Sequence, residues 1–274
     1  MNHWNLDPLE LSVLALVGAL YWRRARTLRR RGHPVPRPRA MAFAAGLLTL
    51  FFALASPIDT IGEERLFSMH MLQHLLLGDV GALLLVLGLD GRLLRPLLRL
   101  RLVHRLRLLA HPLIALPLWA VNFVVWHLPT LFDAALRHDG IHALQHSLFI
   151  ALGMLMWAAL LEPLPGPAWF TAPWKIPYVL GMWLVMLVLS QVFIWSSHVY
   201  YAPYAHDPPL WGLTHLADQK AGGGVMLVES ALTMLPALVW VLLRVLKESE
   251  ARQRLVDAGV APAAASRAAR YGRA

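Results

Sequence analysis

The chain has 274 residues, 58% of them hydrophobic, with a mean hydropathy of +0.53. That profile belongs to a polytopic membrane protein and excludes an ordinary soluble domain. It contains no cysteine, so disulfides and thiolate metal sites are excluded, and a metal would rest on His, Met, carboxylate or backbone oxygen. The formal charge of +9 lies between apolar runs, which points to membrane topology and anionic headgroups and away from nucleic acid.

Seven apolar stretches approach or reach the length of a membrane span. The first runs from Leu9 to Trp22 and is opened by Asp7-Pro8, a favoured helix start. The second is Ala40 to Ser56, stopped by Pro57, and the third is Leu66 to Leu89. The fourth, Ala110 to Leu128, carries Pro112 and Pro117 in its early part, where a bend is expected. The fifth is Ile141 to Leu161, the sixth Ile176 to His198 and the seventh Gly222 to Leu246. No internal repeat, cleaved leader or separate soluble domain is read. The basic stretch Gly91 to Leu109 reads as a helix on the inner leaflet or a solvated loop.

Lys and Arg fall unevenly between these stretches. Arg23 to Arg39, Arg92 to Arg107, Lys175, and Arg244 to Arg273 hold 22 of the 25 basic residues. Arg65, Arg137 and Lys220 alone fall on the other side. The positive-inside rule then gives an all-α integral membrane bundle of seven transmembrane helices, N-terminus outside and C-terminus cytoplasmic. Residues 1–246 form that bundle, and 247–274 form a basic tail expected to lack stable structure.

This topology gathers histidines. The stretch 67–77, FSMHMLQHLLL, places His70 and His74 one helical turn apart. His142 and His146 form a second such pair, His127 ends the fourth span and His198 ends the sixth. All six fall near the outer face. Neutral imidazole is the commonest protein ligand for Zn, Cu, Fe and Ni, and polar groups inside a span need partners. A metal or haem site built from His70, His74, His127, His142, His146 and His198 is therefore expected. His127 and His198 have a second reading as interfacial residues bonded to headgroups or backbone.

Met69 and Met71 lie at the same level, and thioethers favour Cu(I), although on a helix the two point to different sides of His70. Asp218, followed by Gln219, has three readings: metal ligand, carboxylate partner of a ligating His, or helix-start cap. Glu229 stands about two turns into the last span, where a carboxylate is expensive. Asp79 falls on the face opposite His70.

Ser56-Pro57, the stretch 67–77, WHLP at 126–129 with Ala134-Ala135 after it, His142 to His146, and Asp218-Gln219 ahead of three glycines occur in that order. This set, over roughly Ala40 to Leu246, resembles the CtaG-type cytochrome c oxidase assembly factors of bacteria. The Arg-rich loops and tail carry no motif. The resemblance implies a multi-pass protein of the bacterial plasma membrane that is not an enzyme. Its partners would be cytochrome c oxidase subunits, and it would handle copper, with the histidines on the periplasmic or extracellular side. Two alternatives stay open: a haem protein with bis-His ligation between the third and fifth helices, and a zinc-dependent membrane hydrolase using Asp218 or Glu229 as base.

Overall fold

The computed structural model describes residues 4–101, 107–205 and 210–271. These residues are helical, with no strand among them. His3, His104 and His206 lie outside the described residues.

Helix α1, Pro8–Arg30, starts as its sequence predicts, with Pro8 in the first turn and Asp7 accepting from the backbone N–H of Leu9 and Glu10. Helix α2, Arg37–Ala55, ends at Ser56, which caps the short α3, Pro57–Glu64. Helix α4, Phe67–Leu87, contains a π-helical segment over Leu76–Gly81. Helices α5, Pro112–Trp126, and α6, Pro129–Arg137, meet at a 73° bend. Then follow α7, Asp139–Leu161, α8, Ala172–Trp195, α9, His215–Asp257, and α10, Pro262–Tyr271.

Among the described residues, five helices are long and apolar enough to cross a membrane: α2, α4, α7, α8 and α9. The bent pair α5–α6 makes a sixth if it counts as one span. The expected count of seven is not reached by these measures, because α1 does not qualify. Its apolar part gives way at Arg23, and the fourteen residues from Leu9 to Trp22 rise only about 21 Å against a core of about 30 Å.

The tail departs from expectation too. Helix α9 runs on to Asp257, and α10 packs against it. Ala and Arg are strong helix formers, and α10 is tied down at Arg270. That guanidinium bonds Glu162 at 2.6 Å and the carbonyls of Pro167, Ala168 and Phe170. Glu162, in the left-handed region at φ 53° just after α7, also pairs with Lys175 at 3.0 Å and Arg244 at 3.5 Å. Lys175, placed by the sequence among cytoplasmic basic residues, is fully buried in this knot.

The chain also repeats itself, contrary to the sequence reading. Helices α4 and α7 carry pentads that match at four of five positions, HMLQH at 70–74 and HALQH at 142–146. In one constant register, Pro57 and Pro129 each open a short helix ahead of the pentad, and Gly81 and Gly153 stand behind it. Thus α2–α3–α4 and α5–α6–α7 are two copies of a long–short–long unit. The copies touch closely: a Cβ on Gly153 would lie 1.9 Å from the Gly78 carbonyl oxygen. The main core lies among α4, α5, α7, α8 and α9, and a smaller one joins α1 and α2 to α4.

Candidate metal centre

Each repeat presents one His pair on the face of its long helix that meets the other repeat. His70, His74, His142 and His146 are all buried, and one ring nitrogen of each lies within 4.8 Å of all the others. The rings of His70 and His142 have centroids 5.4 Å apart, and those of His74 and His146 are 5.6 Å apart. Phe132 and Phe149 wall the group, 4.9 Å from His70 and 4.5 Å from His74.

Hydrogen bonds assign the tautomers. Tyr204 donates its hydroxyl to the Gly62 carbonyl at 2.6 Å, so its oxygen is left to accept from His70 Nδ1 at 3.1 Å. Glu63 Oε1 accepts from His142 Nδ1 at 2.7 Å. In their neutral forms both rings therefore turn an unprotonated Nε2 away from these partners. His70 Nε2 faces His74 Nε2 at 2.8 Å, a contact that needs either a proton or a cation between the two nitrogens. The Nε2 atoms of His142 and His146 are buried and have no hydrogen-bond partner among the described residues. Orphaned imidazole nitrogens are costly, and this donor set fits an ion that takes neutral nitrogen ligands. Tetrahedral coordination at about 2.0 Å puts ligand nitrogens about 3.3 Å apart, within reach of the spacing seen.

His127 borders this group without joining it. Its Nδ1 bonds the Phe123 carbonyl, its ring lies 5.9 Å from that of His74, and its Nε2 is buried without a partner among the described residues. His198 stands apart and is exposed. Its backbone serves structure: the carbonyl accepts from Ser196 Oγ and from Gln219 Nε2. Gln219 Oε1 accepts from Tyr200 N–H at 2.8 Å, so Gln219 clamps the loop after α8.

Asp218 caps a helix other than its own. Its carboxylate accepts from the N–H of Phe67 at 2.7 Å, from the N–H of Ser68 at 3.2 Å and from Ser68 Oγ. Leu66, the N-cap residue of α4, has no side chain able to do this. Asp218 thus fixes the start of the helix that carries His70 and His74. Glu229 neighbours Asp79, with both its carboxylate oxygens buried and without a hydrogen-bond partner among the described residues, and Asp79 accepts from Trp157 Nε1 at 2.7 Å and Thr233 Oγ1 at 3.1 Å. Asp79 thus bonds toward α7 and α9, and the π-helical segment over Leu76–Gly81 interrupts the ideal register that placed it opposite His70. Met71 is buried in the core and Met69 half-buried.

Sequence reasoning missed Glu63, Tyr204 and the support of Gln73. Gln73 Nε2 donates to Asp59 Oδ1 at 2.6 Å and to the Ala53 carbonyl at 3.0 Å, pinning α4 to α2 and α3. Burial, with Glu63 nearby, pushes the Asp59 carboxyl above its ordinary range. The matching pentads were the one signal that could have marked Gln73 as part of the motif.

The family model for the cytochrome c oxidase caa3 assembly factor matches residues 19–248. The chain belongs to this family. All of the histidine centre and its supports, from Asp59 to Asp218, fall inside the matched region. Similar proteins include uncharacterized proteins of Mycobacterium bovis and Mycobacterium tuberculosis, each 27% identical over 256 residues. One of Mycobacterium leprae is 24% identical over 259 residues. These alignments cover 86% of this chain and 38% of each relative, so the chain spans well under half the length of the curated relatives it matches. No solved structure matches the chain.

Proposed function

We propose that this chain is a bacterial plasma-membrane assembly factor for a haem–copper cytochrome c oxidase, and that its four-histidine centre holds copper destined for that enzyme. Family membership supports the assembly role and the oxidase subunits as partners. The observation that carries the copper reading is the convergence of four buried imidazoles from two repeats, two of them with orphaned Nε2 atoms. Polar side chains placed this way inside apolar helices are a functional signature. Imidazole with no thiolate or directly ligating carboxylate suits copper and zinc alike, and the oxidase's own metal favours copper.

The charge bias supports an outer location for the centre, with basic segments at the cytoplasmic face. His70, His74, His142 and His146 are the ligands in this account. His127 and His198 are left to other duties, His127 beside the centre and His198 in a loop.

Packing weighs against the haem alternative. A porphyrin has to stand between its axial imidazoles, and here the rings lie against each other and against Phe132 and Phe149. The geometry gives the hydrolase alternative less support, since Asp218 is bound to the start of α4 and Glu229 lies outside the four-histidine group. A carrier or scaffold is the better reading.

The test is made in a cell that depends on this protein for its oxidase. With His70→Ala/His74→Ala, immunoblots should show normal insertion while oxidase activity and oxidase-bound copper fall together. Full oxidase copper in that strain would contradict the proposal.

A further inference from the structure

The four histidines are not equally sheltered. His142 is 9% exposed as a residue, and the side chain of its partner Glu63 is 37% exposed. His70, His74 and His146 are 0%, 3% and 4% exposed as residues. Among the described residues, the centre therefore opens toward solvent at Glu63 and His142.

Glu63 comes from the last turn of α3, which touches both His pairs. A Cβ on Gly62 would sit 2.9 Å from the His70 backbone nitrogen, and the Gly62 carbonyl holds Tyr204 against His70. One residue on, Glu63 crosses to His142 of the other repeat. The repeat gives Glu63 a counterpart at Ala135 of α6, which is buried and has no carboxylate. The scaffold thus forms at one copy without an acid, and the acid is present where the centre is open. Glu10 and Asp59 lie within electrostatic reach of the same spot.

We propose that Glu63 is a positioning residue for His142 and that the Glu63–His142 pair is the mouth through which a cation enters the four-histidine centre. This rests on the metal-holding reading above. The carboxylate attracts the incoming cation and keeps His142 Nδ1 protonated, so that Nε2 is ready to receive it. Partners of this kind are worth tenfold to a hundredfold in metal affinity.

The experiment uses the full chain in detergent, with Cu(I) delivered from a coloured chelator complex. Loading rate and competitive affinity are measured for wild type, Glu63→Ala and Glu63→Gln. Glu63→Ala should weaken affinity by about tenfold or more and slow loading. Glu63→Gln keeps an oxygen for His142 Nδ1, so it should restore most of the affinity while loading stays slow. Wild-type rate and affinity in both variants would overturn the proposal, even with a lowered melting temperature, because that is the behaviour of a purely structural residue. A wild-type chain that takes up no Cu(I) would overturn the metal-holding reading itself.

Discussion

Asp218 lies far from His70 in sequence, yet its carboxylate closes the N-terminus of the helix that carries His70 and His74. Removing it leaves two buried N–H groups without acceptors at about 1–3 kcal/mol. Asp218→Ala should therefore lower the thermal midpoint in detergent and weaken copper binding, while Asp218→Asn, which keeps one acceptor, should lose less. Equal melting of all three chains would refute the capping role. The clustering of His70, His74, His142 and His146 was legible in the sequence because a His pair four apart is a local pattern that helix geometry turns into one face. Their supports were not. Glu63–His142 and Tyr204–His70 join distant segments, and no local spacing announces them. His198 follows the end of α8, but it is exposed and stands outside the four-histidine group.

At the scale of helices, the centre depends on how closely α4 and α7 approach. Gly78 and Gly153 meet backbone to side at the crossing, just behind the two His pairs, and α4 is π-helical there. Any side chain at 153 must push the helices apart. Gly153→Ala should cost about 1–3 kcal/mol as an overpacked contact and should also lower copper affinity, because it separates the pairs. Gly224→Ala, where a Cβ meets nothing within 4 Å, should be neutral or stabilise by up to about 1 kcal/mol. Thermal melts and a copper competition assay on both variants check this, and equal effects would contradict it. The long helices were legible as apolar runs. The short helices α3 and α6 were not, because each lies between prolines and polar residues that read as a span boundary. The repeat escaped notice because its copies share most of the pentad, a proline and a glycine, while the apolar filling between them differs.

For the whole molecule, the sequence gives a strong asymmetry of charge, and the fold gives opposite ends of α7 two different characters. His142 and His146 occupy its first turns, and Glu162 with its three cations follows its last. The expected orientation puts the histidine end outside. The chain has no cysteine, so single substitutions report topology cleanly. Ser197→Cys should react with a membrane-impermeant maleimide on intact cells, and Arg29→Cys only after the membrane is opened. The reverse pattern would overturn the orientation. A bent pair and an Arg-rich α1 blur the number of spans in sequence and structure alike.

The central claim is that four histidines from two repeats hold one copper ion. The measurement that tests it most directly is metal content, taken with the visible spectrum, of the purified chain after copper loading. Roughly one copper per chain is predicted, with no Soret band, and loss of the metal in both His70→Ala/His74→Ala and His142→Ala/His146→Ala. Wild-type protein that stays copper-free, or either double variant that keeps its full copper, would contradict the account.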